Sequence, residues 1–336
     1  MLAKHPCAHH RSLVRRWWRA TAAVLSLAAT GMTGVLSSPA TAQAAYPDRP
    51  VTIIIAWPAG GATDLVGRVF QEAFTKGVGG QTIIKNVVGA AGTIGATEAA
   101  QATADGYTLL LTPIGPMVIQ PHRMKLTYDP AAFAPVCKLT DAPVILMSPP
   151  NSRFKTVKDV LDAAKAEPGK LAYASTGPGT IPHIAMLGFG KASGSNLKHV
   201  PYKGSADVMQ AMLSGTIEVF ADQPNLVPQY NLTPIAVFAE KRIPGLKDIP
   251  TMQEAGLNLK FSIWNALFAP KGTPEPVLAK LEAACKAAME DKTVVENLGK
   301  QQQPIDFRNR SGLAAFVAEE FTKARTLIEE AGLAVK

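Results

Sequence analysis

The sequence lacks a G-x-S-x-G elbow, an H-E-x-x-H pair, a C-x-x-C and a G-x-x-x-x-G-K-[ST] loop. The usual nucleophile, zinc, thiol-redox and phosphate-loop chemistries therefore have no foothold. Gly188-Phe189-Gly190-Lys191 has the wrong spacing for a phosphate loop. In Gly177-Pro178-Gly179-Thr180-Ile181-Pro182 a proline takes the third glycine position of a dinucleotide fingerprint, and Gly89, Gly92 and Gly95 fall at the wrong intervals. Only three cysteines occur in 336 residues, and aromatics make up 7%. Acidic residues are missing altogether from the first 44 positions, which carry Lys4, Arg11, Arg15, Arg16 and Arg19. Without those five charges the formal balance drops from +8 to +3. The remainder holds no Lys/Arg stripe or interleaved aromatic platform, so a nucleic-acid partner is not expected.

That basic start is followed by a moderately apolar stretch over 20–36 and then by Ala42-Gln43-Ala44, a small-x-small site. Seventeen such residues are marginal for crossing a bilayer, so 1–44 reads as a cleaved signal peptide with a periplasmic destination rather than a retained anchor. Arg15-Arg16 is a poor twin-arginine signal because Trp17-Trp18 occupy the following positions. Cys7 precedes the apolar stretch and leaves with it. Of the other two cysteines, Cys285 lies on an apolar helical face with Val277, Leu278, Leu281, Ala288 and Met289, which reads as a buried thiol. A bridge to Cys137 is the alternative in an oxidising compartment, if the fold brings the two together. His122, His183 and His199, the histidines beyond the leader, are not at metal-ligand spacing. No cofactor is expected.

From residue 46 onward, short β-branched runs alternate with longer helical patterns, the signature of an α/β fold. The run 51–57 (VTIIIAW) is nearly continuous in apolar residues, as for a strand covered on both faces. Ala59-Gly60-Gly61-Ala62-Thr63 turns the chain into a helix over 64–76. Further strands are expected at 82–87, 108–112, 144–148, 171–174, 198–200, 217–221 and 234–238. Thr156 followed by Asp159 forms a capping box, Pro182 opens another helix, Pro274 or Pro276 opens the one carrying Cys285, and the last helix spans 311–331. Two proline-bounded extended segments, 142–149 and 263–270, read as crossing strands. They divide the chain into a first lobe (45–146 and 265–336) and a second (147–264), with a cleft between them.

Gly-, Ser- and Thr-rich loops follow the strands at 59–64, 112–116 and 175–180, the first and third at helix N-termini. Such loops present main-chain N–H groups to an anion at the carboxyl ends of the strands.

The stretches YPDRPVTIIIAWPAGGATD (46–64), NVVGAAGTIGA (86–96), DGYTLL (105–110), PGKLAYASTGPGTIPHIA (168–185), HVPYKGSADVMQAMLSG (199–215), IPTMQEAGL (249–257) and APKGTP (269–274) carry a resemblance. Together they resemble the substrate-binding proteins of tripartite tricarboxylate transporters, the Bug-type receptors. The resemblance covers essentially the whole chain after the leader, in the family's order. It implies a two-lobed periplasmic binding protein, type II-like, with a double-crossing hinge. Such a protein closes on a small organic acid, acts as a monomer and delivers its ligand to the large and small membrane subunits of the transporter. It is not an enzyme. A ligand-presenting partner of a membrane sensor kinase is an alternative role, and an exported α/β hydrolase is the enzymatic one.

Carried over by position, the resemblance implies ligand contacts from Trp57, Ala59, Gly60, Gly61, Thr63 and Asp64, with Trp57 where relatives usually have Phe or Tyr. Thr112 corresponds to a second contact, followed by Pro113 where a small residue is usual. Ser175, Thr176, Gly177, Gly179, Thr180 and His183 match the loop that holds the proximal carboxylate, and Tyr202 and Lys203 match a Tyr-Lys-Gly turn. Asp222 enters through the segment 219–223, which is offset by one residue from the family's Met-Phe-Asp-small pattern. Read locally instead, Asp64 caps its helix or pairs with Arg68, His183 is a satisfied core histidine, Lys203 is a solvated charge, and Trp264 packs at the hinge.

Overall fold

The computed structural model describes residues 46–334; the expected signal peptide over 1–44, its cleavage site and Cys7 lie outside the described residues. The chain runs β1 (Val51–Ile55), α1 (Ala62–Val78), β2 (Thr82–Asn86), α2 (Thr93–Ala100), β3 (Thr108–Pro113), a π-helical turn (Gly115–Ile119), α3 (Gln120–Arg123) and β4 (Phe133–Pro143). It continues through β5 (Ile145–Ser148), α4 (Val157–Ala166), β6 (Ala172–Ser175), α5 (Ile181–Ser193), β7 (Lys198–Pro201), α6 (Ser205–Leu213), β8 (Val219–Asp222), α7 (Leu226–Tyr230) and β9 (Thr233–Val237). It ends with β10 (Ser262–Pro270), α8 (Glu275–Glu290), α9 (Lys292–Lys300), β11 (Ile305–Arg308) and α10 (Arg310–Glu330).

Two mixed sheets result, ordered β11-β4-β10-β3-β1-β2 and β7-β6-β8-β5-β9. Helices cover their faces, so β1 and β3 are buried almost end to end, as continuous apolar runs require. The capping box at Thr156 and Asp159 forms with both of its hydrogen bonds. Pro274 and Pro276 both serve the start of α8, one as N-cap and one in the first turn. Pairing of β1 stops at Ile55, two residues before the apolar run ends, which frees Trp57 for the loop.

The chain changes sheets between Pro143 and Ile145, where β4 ends and β5 begins in the other sheet. The segment 263–270 does not itself cross: β10 lies wholly in the first sheet, and the return passes upstream of it. The crossings are tied to each other by main-chain bonds from Val144 to Phe261, Phe238 to Val144 and Phe261 to Phe238. Trp264 is fully buried on β10 with its ring edge-on to Phe316 of α10.

The reading of Cys285 as a free buried thiol is corrected: it is buried, but bonded to Cys137 across a sequence separation of 148. The apolar face of α8 that hides Cys285 lies against β4, and this contact brings Cys137 opposite it. The next residue of β4 points to the other face. There, buried Lys138 holds Asp141 and Asp306 at 2.6 Å each and sits 3.8 Å from the centre of the Phe316 ring.

A loop of this length limits the unfolded chain strongly. The double variant Cys137→Ala with Cys285→Ala should lose about 5 kcal/mol of unfolding free energy by the chain-entropy estimate. Urea titration measures this, and a loss under about 1 kcal/mol would mean that the bridge constrains little.

Candidate functional site

The strand orders place each sheet's topological switch point between β1 and β3 in one and between β6 and β8 in the other. The loops leaving the carboxyl ends of these strands, with the start of α6, line a small cavity. Its wall takes Trp57, Gly61, Ala62 and Thr63 from the loop after β1 and the start of α1, and Pro113, Ile114 and Gly115 from the loop after β3. The second sheet supplies Thr176, Thr180, Ile181, Pro182, Ser205, Asp222 and Gln223, and Ile263 comes from β10. No lysine, arginine or histidine is among these lining residues.

Three helices begin here. Gly61, Thr180 and Gly204 are the N-caps of α1, α5 and α6, none with a side-chain capping bond, and the caps of α1 and α5 are extended. The first-turn N–H groups of a helix have no intrahelical partner and carry the positive end of its dipole. The starts of α1 and α6 approach closely: a Cβ on Gly204 would collide with the Pro58 ring of the other lobe, so only glycine fits there.

The expected site residues divide by position. Trp57, Gly61, Thr63, Thr176, Thr180 and Asp222 line the cavity. Ala59, Gly60, Asp64, Thr112, Ser175, Gly177, Gly179, His183, Tyr202 and Lys203 do not, although several hold the loops that do. Asp64 is fully buried and acts as a bracket: one oxygen accepts from the Gly60 amide at 2.8 Å and Arg68 Nε at 2.7 Å, the other from Asn86 Nδ2 at 2.9 Å. Asn86 also donates to the Trp57 carbonyl at 2.9 Å, which fixes the loop on both sides of its turn. From the second lobe Tyr230 donates to the Gly60 carbonyl and Asn225 to that of Ala62, each at 2.8 Å. Ala59 and Lys203 are exposed, and the buried Thr112 hydroxyl donates to the Pro113 carbonyl at 3.1 Å. The Tyr202 amide donates to the Ser175 carbonyl, joining the turn to the end of β6.

Behind the α5 loop, the Gly179 amide donates to His183 Nδ1 at 3.0 Å, and the His183 ring stacks on His199 with centroids 4.0 Å apart. His199 Nε2 shares a 2.7 Å hydrogen bond with the Ser175 hydroxyl, and the Thr180 hydroxyl donates to the Gly177 carbonyl. Gly179 has a positive φ of 72°, and Arg123 of α3 packs where its Cβ would be. Gln120 donates to the Gly179 carbonyl from the first lobe. Burial, then the charges of His199 and Arg123, push His183 down to about 4, and burial also lowers His199. A neutral His183 is what the Gly179 bond requires.

Two lining polar groups lack partners or are costly to bury. The indole N–H of Trp57 is buried with no hydrogen-bond acceptor among the described residues. Asp222 receives the Ser205 hydroxyl at 2.6 Å and the Gln223 amide at 2.8 Å, and burial pushes it up to about 6. Gln223 is in turn held by Asn265 of β10 at 2.8 Å.

Ser205 and Gln223 were legible only indirectly, the first as a serine opening a helix after the Tyr-Lys-Gly turn, the second as the neighbour of Asp222. Ile114, Gly115, Ile181 and Ile263 carry no chemical signal. Ile263 could be paired with Trp264 only by strand alternation, which sends one to the cavity and the other into the core.

His183 gives the site a defined acid response. Its unfolded ring takes a proton near 6.5, so between about 6.5 and about 4 the unfolded chain binds more protons, and stability falls as pH falls. Asp222, raised from 3.8 to about 6, slopes the other way over much of that window, so the comparison must be with a variant. His183→Gln keeps an acceptor for Gly179. Urea-unfolding free energies should fall on acidification faster in the wild type than in His183→Gln, by up to roughly 1 kcal/mol per pH unit after solvent screening. Parallel curves would sink this account.

Among the described residues no helix is long and apolar enough to cross a membrane, and no three His, Cys, Asp or Glu side chains gather as a metal site. Residues 66–333 match the model of the tripartite tricarboxylate transporter family receptor. The chain is 34% identical over 312 residues to the UPF0065 protein in the gbd 5′ region of Cupriavidus necator, covering 91% of this chain and 95% of the relative. Among solved structures, the periplasmic binding protein BugD is 30% identical with a TM-score of 0.80, covering 87% of this chain and all of its own. MatC from Rhodopseudomonas palustris with bound malate is likewise 30% identical, with a TM-score of 0.78, covering 84% of this chain and all of its own. The protein has the α/β two-lobed fold of periplasmic binding proteins, and it belongs to the family of tripartite tricarboxylate transporter receptors, which bind solutes and are not enzymes.

Proposed function

We propose that this chain is a receptor for a small carboxylate or dicarboxylate, exported with removal of residues 1–44, which it delivers to the membrane subunits of a tripartite tricarboxylate transporter. One observation carries the reading: three helix N-termini and the unpartnered Trp57 N–H meet at a cavity with no basic side chain in its lining. Main-chain donors of this kind suit an acid group, and they leave the anion free to depart because no fixed cation holds it. The malate held by MatC supports the chemical class.

Charge-assisted hydrogen bonds of roughly 1.5–3 kcal/mol each reach micromolar affinity after association costs are subtracted. In this reading, a first lobe over 45–146 and 265–336 and a second over 147–264 close on the ligand. The bonds from Gln120, Asn225 and Tyr230 across the cleft latch the closed form.

A thermal-shift screen of malate, succinate, adipate and benzoate-type acids should show stabilisation, about 2.7 kcal/mol at 100 times the dissociation constant. Trp57→Phe keeps most of the ring and removes the N–H, and Thr176→Val removes a lining hydroxyl. Each should weaken binding roughly five- to tenfold with little change in the unliganded melting temperature. Undiminished binding in both would remove this cavity from the reading, and silence across a broad acid panel would overturn the ligand class.

A further inference from the structure

The cavity that would take an acid contains one already. Asp222 ends β8 fully buried in the wall, and its two oxygens receive one donor each, Ser205 Oγ and the Gln223 amide. A carboxylate offers about four acceptor positions, so roughly half are unfilled. Among the described residues no cation compensates it, and a buried carboxylate without one is unfavourable.

Titratable groups on the surrounding elements are engaged elsewhere. On α1, Asp64 is bound to Arg68, Asn86 and Gly60; on α5, His183 is bound to the Gly179 amide and stacked on His199 of β7. Asp207 lies in the first turn of α6 and is partly exposed, and Tyr230 of α7 donates to Gly60. The neighbouring strand β5 offers Ile145 opposite Asp222, and β10 offers Asn265, which is turned to Gln223. Burial is the largest influence on the Asp222 carboxyl, and no charged neighbour contributes.

A ligand carboxylate entering the same dry space adds like charge next to Asp222, which favours the neutral carboxyl further. Resting on the reading of this cavity as an acid site, we propose that a dicarboxylate binds together with one proton, taken from solvent onto the Asp222 carboxyl, which thereby turns from an acceptor into a donor facing the ligand. Asp222 is then a specificity-determining residue as well: it admits a fully ionised acid only with that proton, or a ligand that supplies its own donor.

Isothermal titration of the purified protein with succinate and adipate, which have no hydroxyl to offer Asp222, tests this directly. Run at pH 7.5 in two buffers of different ionisation enthalpy, the heats should report uptake of close to one proton per ligand bound. The dissociation constant should rise about tenfold per pH unit above about 6, the Asp222 value without ligand, and level off below it. In Asp222→Asn, which keeps the shape and one acceptor oxygen and cannot take up the proton, uptake should vanish and the pH profile flatten. The wild-type heats need no variant, so a misfolded Asp222→Asn does not block the test. Binding with buffer-independent heat and no pH dependence overturns the proton while leaving the acid site standing. Uptake that persists in folded Asp222→Asn assigns the proton to another group and also overturns it. If neither acid binds while malate does, the dicarboxylate is admitted by its own hydroxyl and the coupled proton is refuted. If no organic acid binds at all, the acid site and the coupled proton fall together.

Discussion

Main-chain N–H groups at the start of a helix cannot be satisfied within that helix, and here three sets of them, on α1, α5 and α6, face one cavity. Most of the surrounding polar network serves to hold them there. Asp64 spends its carboxylate on its own loop, His183 spends a ring nitrogen on Gly179, and Asn86 pins the Trp57 carbonyl. These residues are buried or half-buried and well bonded because their task is positional. Of the groups that line the empty space, the Trp57 indole N–H is left unsatisfied and the Asp222 carboxyl is raised by burial.

The architecture explains why the donors come from both sheets. In each sheet the order of strands reverses direction around a pair of neighbours, and at that gap the outgoing loops part. Two such gaps facing one another produce a cavity whose walls belong to different lobes. Three of the hydrogen bonds that cross it, from Tyr230, Asn225 and Gln120, end on main-chain carbonyls of the two glycine-bearing loops, and a fourth joins Asn265 to the Gln223 side chain. The seating of the two lobes and the shape of the loops are thus tied to the same contacts.

Much of this was legible before any coordinates. Alternation of apolar runs with helical patterns gave the α/β class, and Thr156, Pro182 and Pro276 marked helix starts that the structure keeps. Loops rich in glycine after strands pointed to the ends of the sheets where the cavity lies, and of the sixteen residues that the family resemblance singled out, Trp57, Gly61, Thr63, Thr176, Thr180 and Asp222 line it. The remainder depended on long-range contact. Nothing local tells that Ser205 lies beside Asp222, 17 residues away, or that Asn265 reaches Gln223 across 42. Whether Cys285 was a packed thiol or half of a bridge turned on which face of α8 met β4, a tertiary fact. The apolar lining residues, Ile114 and Ile263 among them, look the same in sequence as any core position.

Strand β4 is riveted on both sides: Cys137 is joined covalently to α8, and on the opposite face Lys138 is clamped by two carboxylates beneath α10. The strand that leads straight into the first crossing therefore has nowhere to give. In the proposed reading as a closing receptor, bending is left to the short crossing around Val144 and the connection that returns through Phe261, with the first lobe as an anvil and the second as the hammer. A surface meant to signal a filled cavity would be read most sharply where the moving half comes to rest against the still one.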